Sequence, residues 1–293
     1  MFFDPLMLVV AVQIIIESIP VSSSGHVLLT QHLLERLGID IDISLPDYLD
    51  HFIHGPTLLI ISLYFFNAWW PLLRRLVGCL KAWMRHDLRD SQRRLVILIS
   101  KIIVLIALAE LAFTCILLPL WRFKHAPFMQ GLPVLLIGFV ITMGLLASLV
   151  VRDGCCSSPR MGDGCSGLTY SKAIILGIIQ AVVYLLPGVS RFASTFVAAR
   201  WLGISSRRAL QFSFVMFFPL MLSAFVGSGY EMMMHPGARQ FVSMPWLLTY
   251  GLASIVAYAL FALAAGMALR ETLWKFAFYM AMPIITAIVL LVH

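Results

Sequence analysis

The chain has 293 residues, of which 61% are hydrophobic and only 12% are charged, and its net charge is +7. Soluble globular chains are nearer half apolar and about a quarter charged, so this composition excludes an ordinary soluble domain. The basic balance needs no nucleic-acid partner, because Lys and Arg accumulate in the cytoplasmic loops of membrane proteins.

Long apolar segments predict an all-α polytopic membrane protein. A helix of about 20 apolar residues crosses a hydrocarbon core of about 30 Å. Six segments are long enough, in chain order: residues 50–70, 95–118, 131–151, 209–228, 246–268 and 275–292. The lipid bilayer is therefore a predicted partner of this chain.

Two further apolar segments, residues 6–35 and 173–203, are interrupted by Pro together with Ser and Gly. Each is predicted to form a re-entrant hairpin of two half-helices. Non-helical backbone at membrane depth persists only where protein or a watery cavity satisfies its polar groups. We therefore expect each break to be buried in protein or to line such a cavity.

Basic residues set the expected orientation. Residues 71–94 carry seven basic and two acidic side chains, whereas residues 36–50 carry four Asp and one Arg. The positive-inside rule places the 71–94 loop in the cytoplasm, which puts both termini on the outer, periplasmic side. The first hairpin then opens to the outside and the second hairpin to the cytoplasm.

The two breaks share a pattern that predicts an internal repeat. Each contains a Gln, a Pro seven residues later and a Ser three residues after that: Gln13, Pro20 and Ser23, then Gln180, Pro187 and Ser190. Three spans follow each broken segment, and halves with an odd number of spans face opposite ways, as in inverted-repeat transporters. The predicted division is a first repeat, a Cys-rich cytoplasmic linker and a second repeat: residues 1–150, 151–172 and 173–293.

Three of the five cysteines lie in or at the edge of that linker: Cys155, Cys156 and Cys165. A structural zinc site usually takes four Cys or His ligands at paired spacings. This stretch offers three cysteines and no histidine, so reduced cytosolic thiols are the favoured interpretation.

The first break reads QIIIESIPVSSSGH and concentrates chemistry in an apolar segment. Gln13 and Glu17 are four residues apart, so they share one face of a helix. Pro20 ends that helix because it lacks an N–H group. Ser22 or Ser23 is suited to cap the helix that follows.

The second break, PGVSRFAS, repeats this arrangement, with Ser190 in the cap position and Arg191 just inside the helix. Two helix N-termini meeting near the middle of the membrane would form an anion site, particularly for phosphate. The planar guanidinium of Arg191 fits phosphate oxygens bidentately.

Ionisable side chains in membrane segments cost about 2.5–3.5 kcal/mol to insert, so Glu17, His26 and Arg191 are interpreted as functional. The alternative is that Glu17 and Arg191 only pair to hold the hairpins together, which leaves His26 and the serines unexplained. Glu110 has no companion motif, and a structural or interfacial role is favoured for it.

The motifs QxxxExxPVSSSGH, PGVSR and LQFSFVMFFP together resemble the undecaprenyl-pyrophosphate phosphatase family, also called the bacitracin-resistance family. The resemblance spans nearly the whole chain. It implies a membrane hydrolase that converts undecaprenyl (C55 isoprenyl) pyrophosphate to undecaprenyl phosphate and inorganic phosphate. It further implies a place in the cell inner membrane, a role in cell-wall synthesis and bacitracin resistance, and it leaves a homo-oligomer open.

The resemblance also implies a set of site residues. Gln13 and Glu17 match a motif that the family associates with a divalent cation, Mg²⁺ or Ca²⁺. The implied catalytic residues are Glu17, Ser23, His26 and Arg191. The implied substrate-binding residues are Ser22, Ser24, Gly25, Gly188, Ser190, Arg191 and Thr195.

The sequence departs from the family pattern at two places. Phe192 and Ala193 stand where the family usually has Ser-Gly, which makes the loop bulkier beside Arg191. The stretch HGPT, from His54 to Thr57, replaces a His/Gln-Leu-Gly-Ser/Thr pattern and leaves the role of His54 open.

Other functions and mechanisms stay open at this point. A lipid-phosphate carrier would use the same inverted-repeat scaffold and would also need an anion site. A phosphatase of the unrelated acid-phosphatase-like type is disfavoured, because neither His nor Asp occurs in the FASTFVAARWLG that follows Arg191. The sequence does not separate attack by Ser23 or His26 from attack by water.

Overall fold

The computed structural model describes residues 4–39, 47–84, 89–124, 126–155 and 167–292. Within these ranges every regular element is helical. The α-helices are α1 Pro5–Glu17, α2 Ser23–Arg36, α3 Asp47–Phe52, α4 His54–Met84, α5 Asp90–Lys124, α6 Leu132–Cys155, α7 Tyr170–Leu185, α8 Arg191–Trp201, α9 Ser206–Met234, α10 Met244–Leu269, α11 Phe276–Tyr279 and α12 Ala281–Val292. Cys156 and Cys165 lie outside the described residues.

Within the described ranges, six helical segments are long and apolar enough to cross a membrane, which confirms the predicted polytopic fold. They are Tyr48–Ala82, Asp90–Leu120, Leu132–Gly154, Ser206–Met234, Met244–Leu269 and Leu273–Val292. Each one corresponds to one of the six spans expected from the sequence.

One segment that we expected to be a loop is helical. Helix α4 continues through Pro71 to Met84 and so includes the first half of the basic 71–94 stretch. A proline removes one intrahelical donor and kinks a helix without forbidding helix beyond it. The residues that follow, rich in Leu, Arg and Lys, are good helix formers and extend the helix.

Both predicted hairpins are present as helix–break–helix pairs. Helix α1 ends at Glu17 and α2 begins at Ser23, while α7 ends at Leu185 and α8 begins at Arg191. In the second break Gly188 has φ +85°, a left-handed conformation that side-chain-bearing residues avoid. The two helices of each hairpin contact each other.

The helix contacts between the two halves are compatible with an internal repeat, which stays a prediction. Helix α1 packs against α10, as its counterpart α7 packs against α5. Helix α2 packs against α12, as its counterpart α8 packs against α6. Two halves related by a two-fold axis would have helix contacts matched in this way. The opposite orientation of the halves and their exact bounds stay predictions.

The far ends of the second half-helices are anchored by arginine. Arg200, which is 1% exposed, donates through Nη2 to Asp153 Oδ1 and to Glu271 Oε1, both at 2.8 Å. At the end of α2, Arg36 Nη2 donates to the Leu290 carbonyl at 3.1 Å. A buried arginine is tolerated when its donors are paired in this way, so these residues hold the hairpins in place.

Glycines allow the two breaks to touch. A Cβ on Gly25 would lie 2.8 Å from Gly188 Cα and 2.7 Å from the Phe139 ring. A Cβ on Gly138 of α6 would lie 2.0 Å from the Pro187 carbonyl oxygen. The start of α2, the turn before α8 and the first half of α6 therefore pack closely together. The expectation that the two breaks meet is confirmed.

Candidate active site

A cavity of about 650 Å³ lies where the two breaks meet. Ser23 and Ser24 of α2 line it, and Arg191 of α8 lines it as well. Its remaining walls are largely apolar and include Val27, Leu28, Phe113, Leu117, Leu220 and Met221. A cavity with polar groups at two helix starts and an apolar wall suits a molecule with a polar head and a hydrocarbon chain.

The first break is fixed by an N-cap. The Ser22 hydroxyl oxygen accepts a hydrogen bond from the Gly25 N–H at 3.1 Å. Of the two serines suited to this role, Ser22 is thus the cap, and its side chain is buried. Ser23 becomes the first residue of α2, and Ser24 Oγ lies 3.2 Å from Ser22 Oγ.

The second break is fixed in the same way. The Ser190 hydroxyl oxygen accepts from the Ala193 N–H at 3.2 Å. Thr142 of α6 donates its hydroxyl to the Gly188 carbonyl at 2.9 Å and accepts the Ser190 N–H at 3.0 Å. Arg191 is consequently the first residue of α8.

The capping geometry corrects the alignment of the two breaks by one residue. Sequence spacing paired Ser190 with Ser23, whereas the shared capping role pairs Ser190 with Ser22. The capping serine lies two residues after Pro20 but three residues after Pro187. The alignment of Gln, Pro and Ser in the sequence concealed this difference. Ser23 and Arg191 are therefore the structurally equivalent positions.

Arg191 is held by aromatic rings and not by a carboxylate. Its guanidinium carbon lies 4.5 Å from the centre of the Phe217 ring and 5.2 Å from that of Tyr184. Within the described part of the chain, the ion pairs do not include Arg191. Aromatic faces attract a guanidinium without using its N–H donors. Those donors are left for an anion, and the purely structural pair of Glu17 with Arg191 is not formed.

Glu17 pairs instead with the start of α4. His54 Nδ1 lies 2.9 Å from Glu17 Oε1 and 3.1 Å from Oε2, and the Thr57 hydroxyl donates to Oε2 at 2.8 Å. The Glu17 side chain is only 3% exposed. His54, whose role the sequence left open, lines the main cavity. Nothing in the sequence signalled that Glu17 and His54 would pair. The sequence showed only that His54 is an ionisable residue near the start of a span.

A smaller pocket of about 20 Å³ lies behind Arg191, roughly the space one water molecule needs. Glu17 and Arg191 both line it, and so does Thr195. The Thr195 hydroxyl donates to the Arg191 carbonyl at 2.9 Å. Among the predicted residues, Glu17 and Thr195 thus lie on this side of Arg191, and Ser23 and Ser24 lie on the main-cavity side.

His26 lies away from the main cavity in a tightly packed position. Its Nδ1 is 2.7 Å from the Ser22 carbonyl oxygen and its Nε2 is 3.2 Å from the Tyr279 hydroxyl. The ring stacks on Tyr279 and meets the edge of Phe139. Both nitrogens are engaged, and the residue is 8% exposed. His26 therefore fastens the first break to α6 and α11, and a catalytic role for it stays a prediction.

Phe192, where the sequence departs from the family pattern, points away from the main cavity. Its ring packs 4.6 Å, centre to centre, from that of Phe214. Ala193 is fully buried and supplies the N–H that Ser190 accepts. The extra bulk beside Arg191 therefore fills the aromatic core and leaves the cavity open.

Gln13 and Asp50 form the acidic side of the main cavity. The Gln13 amide Nε2 donates to Asp50 Oδ1 at 2.9 Å, and both residues line the cavity. A carboxylate only accepts, so this bond turns Gln13 Oε1 the other way, where it is buried without a partner. In the described ranges, no three or more His, Cys, Asp or Glu side chains come together as a metal site.

This donor set fits a cation shared with phosphate better than a metal held by protein alone. Mg²⁺ typically binds one or two carboxylates and completes its shell with water and substrate phosphates. Asp50 offers such a carboxylate, and Gln13, whose amide donates to it, lines the same cavity. Glu17 accepts hydrogen bonds from His54 and Thr57 at Oε2, whereas its Oε1 is buried without a hydrogen-bond partner, so its place in the ligand set stays a prediction.

Comparison with known proteins gives a consistent result. Residues 6–290 match the family model described as bacitracin resistance protein BacA. The chain is similar to the undecaprenyl-diphosphatase of Trichlorobacter lovleyi, 29% identical over 268 residues that cover 90% of this chain and 88% of the relative. It is also similar to the undecaprenyl-diphosphatase of Geobacter metallireducens, 28% identical over 271 residues that cover 92% and 91% of the two chains.

Proposed function

The chain belongs to the bacitracin resistance protein BacA family, and on that premise we propose that it hydrolyses undecaprenyl pyrophosphate to undecaprenyl phosphate and inorganic phosphate. The observation that carries this proposal is the shared cavity: the first residues of two capped half-helices, Ser23 and Arg191, line one space with an apolar wall. The head group would bind at the helix starts and the isoprenyl chain along the wall.

The two helix N-termini and Arg191 would hold the pyrophosphate. Free N–H groups and the helix dipole favour an anion at each helix start. The Arg191 guanidinium adds a fork that fits two phosphate oxygens. Hydrolysis of a phosphoanhydride depends mainly on positioning and on neutralising charge at the transferred phosphoryl group. Ser24, in the first turn of α2, would donate a further hydrogen bond from its hydroxyl to the pyrophosphate.

A divalent cation, Mg²⁺ or Ca²⁺, would enter with the substrate at Asp50 and Gln13. When bound, it would offset the negative charge of the phosphate oxygens. Asp50 would supply the carboxylate, and Gln13, whose amide Nε2 donates to Asp50, would supply its oxygen once the amide turns over. The ligand set that the resemblance implies, Gln13 with Glu17, stays a prediction beside this one.

The remaining predicted residues would shape the site. Ser22 and Ser190 cap the half-helices, and Gly25 and Gly188 allow them to approach. Ser23 would contact the phosphoryl group that is transferred. The sequence-based choice between attack by the Ser23 hydroxyl and attack by water is tested below.

The protein is a multi-pass membrane protein by its six apolar spans. We place it in the bacterial inner membrane, with both termini on the periplasmic side and the site open to that side. There it would return the lipid carrier to peptidoglycan synthesis, support cell-wall biogenesis and cell shape, and lower sensitivity to bacitracin.

The test is phosphate release from farnesyl or undecaprenyl pyrophosphate by detergent-purified protein, with and without Mg²⁺ or Ca²⁺. Hydrolysis in detergent, where no membrane separates two sides, distinguishes an enzyme from a carrier. Release by wild type that Arg191→Ala lowers about 10²-fold or more is expected, since removal of a comparable charge-stabilising group typically costs 10²–10³. Bound lipid phosphate without any release would overturn the proposal in favour of the carrier.

A further inference from the structure

His54 and Glu17 form a buried carboxylate–imidazole pair that borders the main cavity. The two residues are 37 positions apart in sequence and meet where α1 ends and α4 begins. Their side chains are 15% and 3% exposed, and Nδ1 lies 2.9 Å from the nearer carboxylate oxygen. Thr57, one turn further along α4, donates to the same carboxylate. The carboxylate is therefore held from two sides and its position is fixed.

The pair determines which nitrogen of His54 carries the proton. A carboxylate accepts hydrogen bonds, so Nδ1 must donate. In a neutral imidazole the other nitrogen, Nε2, then presents a lone pair. His54 is one of the residues that line the main cavity, and among the described residues nothing hydrogen-bonds to its Nε2. A lone pair is thus available on the side of the ring away from Glu17.

Several charged or titratable side chains surround His54 in the main cavity. Besides Glu17 of α1, His54 is faced by Asp50 and His51 of α3 and by Arg191 of α8. Arg191 is the strong cation of this group and attracts the pyrophosphate. A phosphoryl group held by Arg191 would lie in the same cavity as the free nitrogen of His54.

We propose that His54 is the general base of the hydrolysis and that Glu17 is its positioning residue. The proposal rests on the proposed function and deepens it. His54 Nε2 accepts a proton from a water molecule as the water oxygen forms a bond to the terminal phosphorus. The bond from that phosphorus to the bridging oxygen breaks, and its electron pair leaves with undecaprenyl phosphate.

Glu17 stabilises the imidazolium that forms, and His54 then gives its proton to the released phosphate or to solvent. This is the arrangement by which a buried carboxylate orients a histidine base. His26 is unsuited to the same task, since its two nitrogens face the Ser22 carbonyl and the Tyr279 hydroxyl. His26 thus has a structural role, whereas His54 has a catalytic one.

The decisive variant is His54→Asn. Asparagine Nδ2 can replace histidine Nδ1 as a donor to Glu17, but nothing replaces Nε2. If His54 only supported Glu17, this variant would keep most of its activity. As a general base it should lose kcat by about 10²–10⁴-fold, with KM and binding of a non-hydrolysable isoprenyl diphosphonate nearly unchanged. His32→Gln, a change at a half-exposed histidine of α2 outside the cavity, is the matched control and should keep wild-type kcat.

A second measurement guards against a variant that fails to fold. His54→Ala leaves a space next to the cavity, and added imidazole should restore activity at least tenfold, while it should not restore Arg191→Ala. Melting temperature and a single peak in size-exclusion chromatography verify the fold of each variant. His54→Asn with kcat within threefold of wild type would overturn the proposal. So would an inactive His54→Ala that imidazole does not rescue.

The outcomes separate this inference from the proposed function. Wild-type protein that releases no phosphate from either isoprenyl pyrophosphate would overturn the function itself. Active wild type with an active His54→Asn would overturn only the role of His54.

Discussion

Ser23 and Arg191 occupy the same position in two half-helices, the first residue after the capping serine, and both line one cavity. One half-helix thus presents a hydroxyl and the other a guanidinium at equivalent points. The same capped turn thus brings different side chains to the two helix starts. The predictions below test how this asymmetry is used.

Arg191→Lys should lower kcat/KM about 10²-fold or more, although it preserves the charge. Lysine lacks the planar fork for two phosphate oxygens and packs less well between the rings of Tyr184 and Phe217. Phosphate release at several substrate concentrations measures the loss. Arg207→Lys, at an exposed position near the start of α9, is the control. Full activity of Arg191→Lys would show that charge alone suffices.

Ser23→Ala should reduce activity about tenfold, through loss of a hydrogen bond to phosphate, and should not abolish it. The reason is that water, and not the Ser23 hydroxyl, is expected to attack phosphorus. Substrate labelled in the terminal phosphate, quenched with acid during turnover, should leave no label on the protein. Labelled wild type and unlabelled Ser23→Ala would instead identify Ser23 as the nucleophile.

Tyr279→Phe should lower stability by about 1 kcal/mol and leave kcat within about threefold of wild type. It removes one hydrogen bond, from the tyrosine hydroxyl to His26 Nε2, and preserves the stacked ring. Thermal unfolding in detergent and phosphate release are measured on the same preparation. A tenfold fall in kcat with unchanged melting temperature would support the predicted catalytic role of His26.

Gly188→Ala should destabilise the protein by more than about 2 kcal/mol. The residue has φ +85°, and an added Cβ would lie 2.5 Å from the Leu135 carbonyl oxygen, so strain and a backbone clash add together. Gly251→Ala, in α10 with open space around the added Cβ, is the matched control and should be neutral or stabilising. Equal melting temperatures of the two variants would mean that the breaks do not pack as described.

Removal of divalent cations with EDTA should abolish phosphate release, and Asp50→Asn should raise the Ca²⁺ or Mg²⁺ concentration needed for half-maximal activity at least tenfold. The physical reason is the loss of the carboxylate that Asp50 presents in the main cavity. Calorimetric titration of Ca²⁺ in the presence of an isoprenyl diphosphonate measures binding separately from turnover. Unchanged metal dependence in Asp50→Asn would return the site to Glu17.

Local sequence signals sufficed for the architecture. Runs of apolar residues marked six spans, because each span must satisfy its backbone internally and expose apolar side chains to lipid. Proline and glycine marked the two breaks, and a serine before each new helix marked the caps. These effects act over a few residues, so spans, breaks and caps can be recognised in the sequence without knowledge of the packing.

The pairing of side chains required the tertiary structure. His54 and Glu17 are 37 residues apart, and their contact depends on how α4 packs beside α1. The same holds for His26, which looked free in its motif and proved to be enclosed by Phe139 and Tyr279. Sequence thus predicted a membrane-embedded phosphate site between two broken helices. Which histidine faces that site was decided by packing, because hydrogen bonds between distant segments have no local pattern.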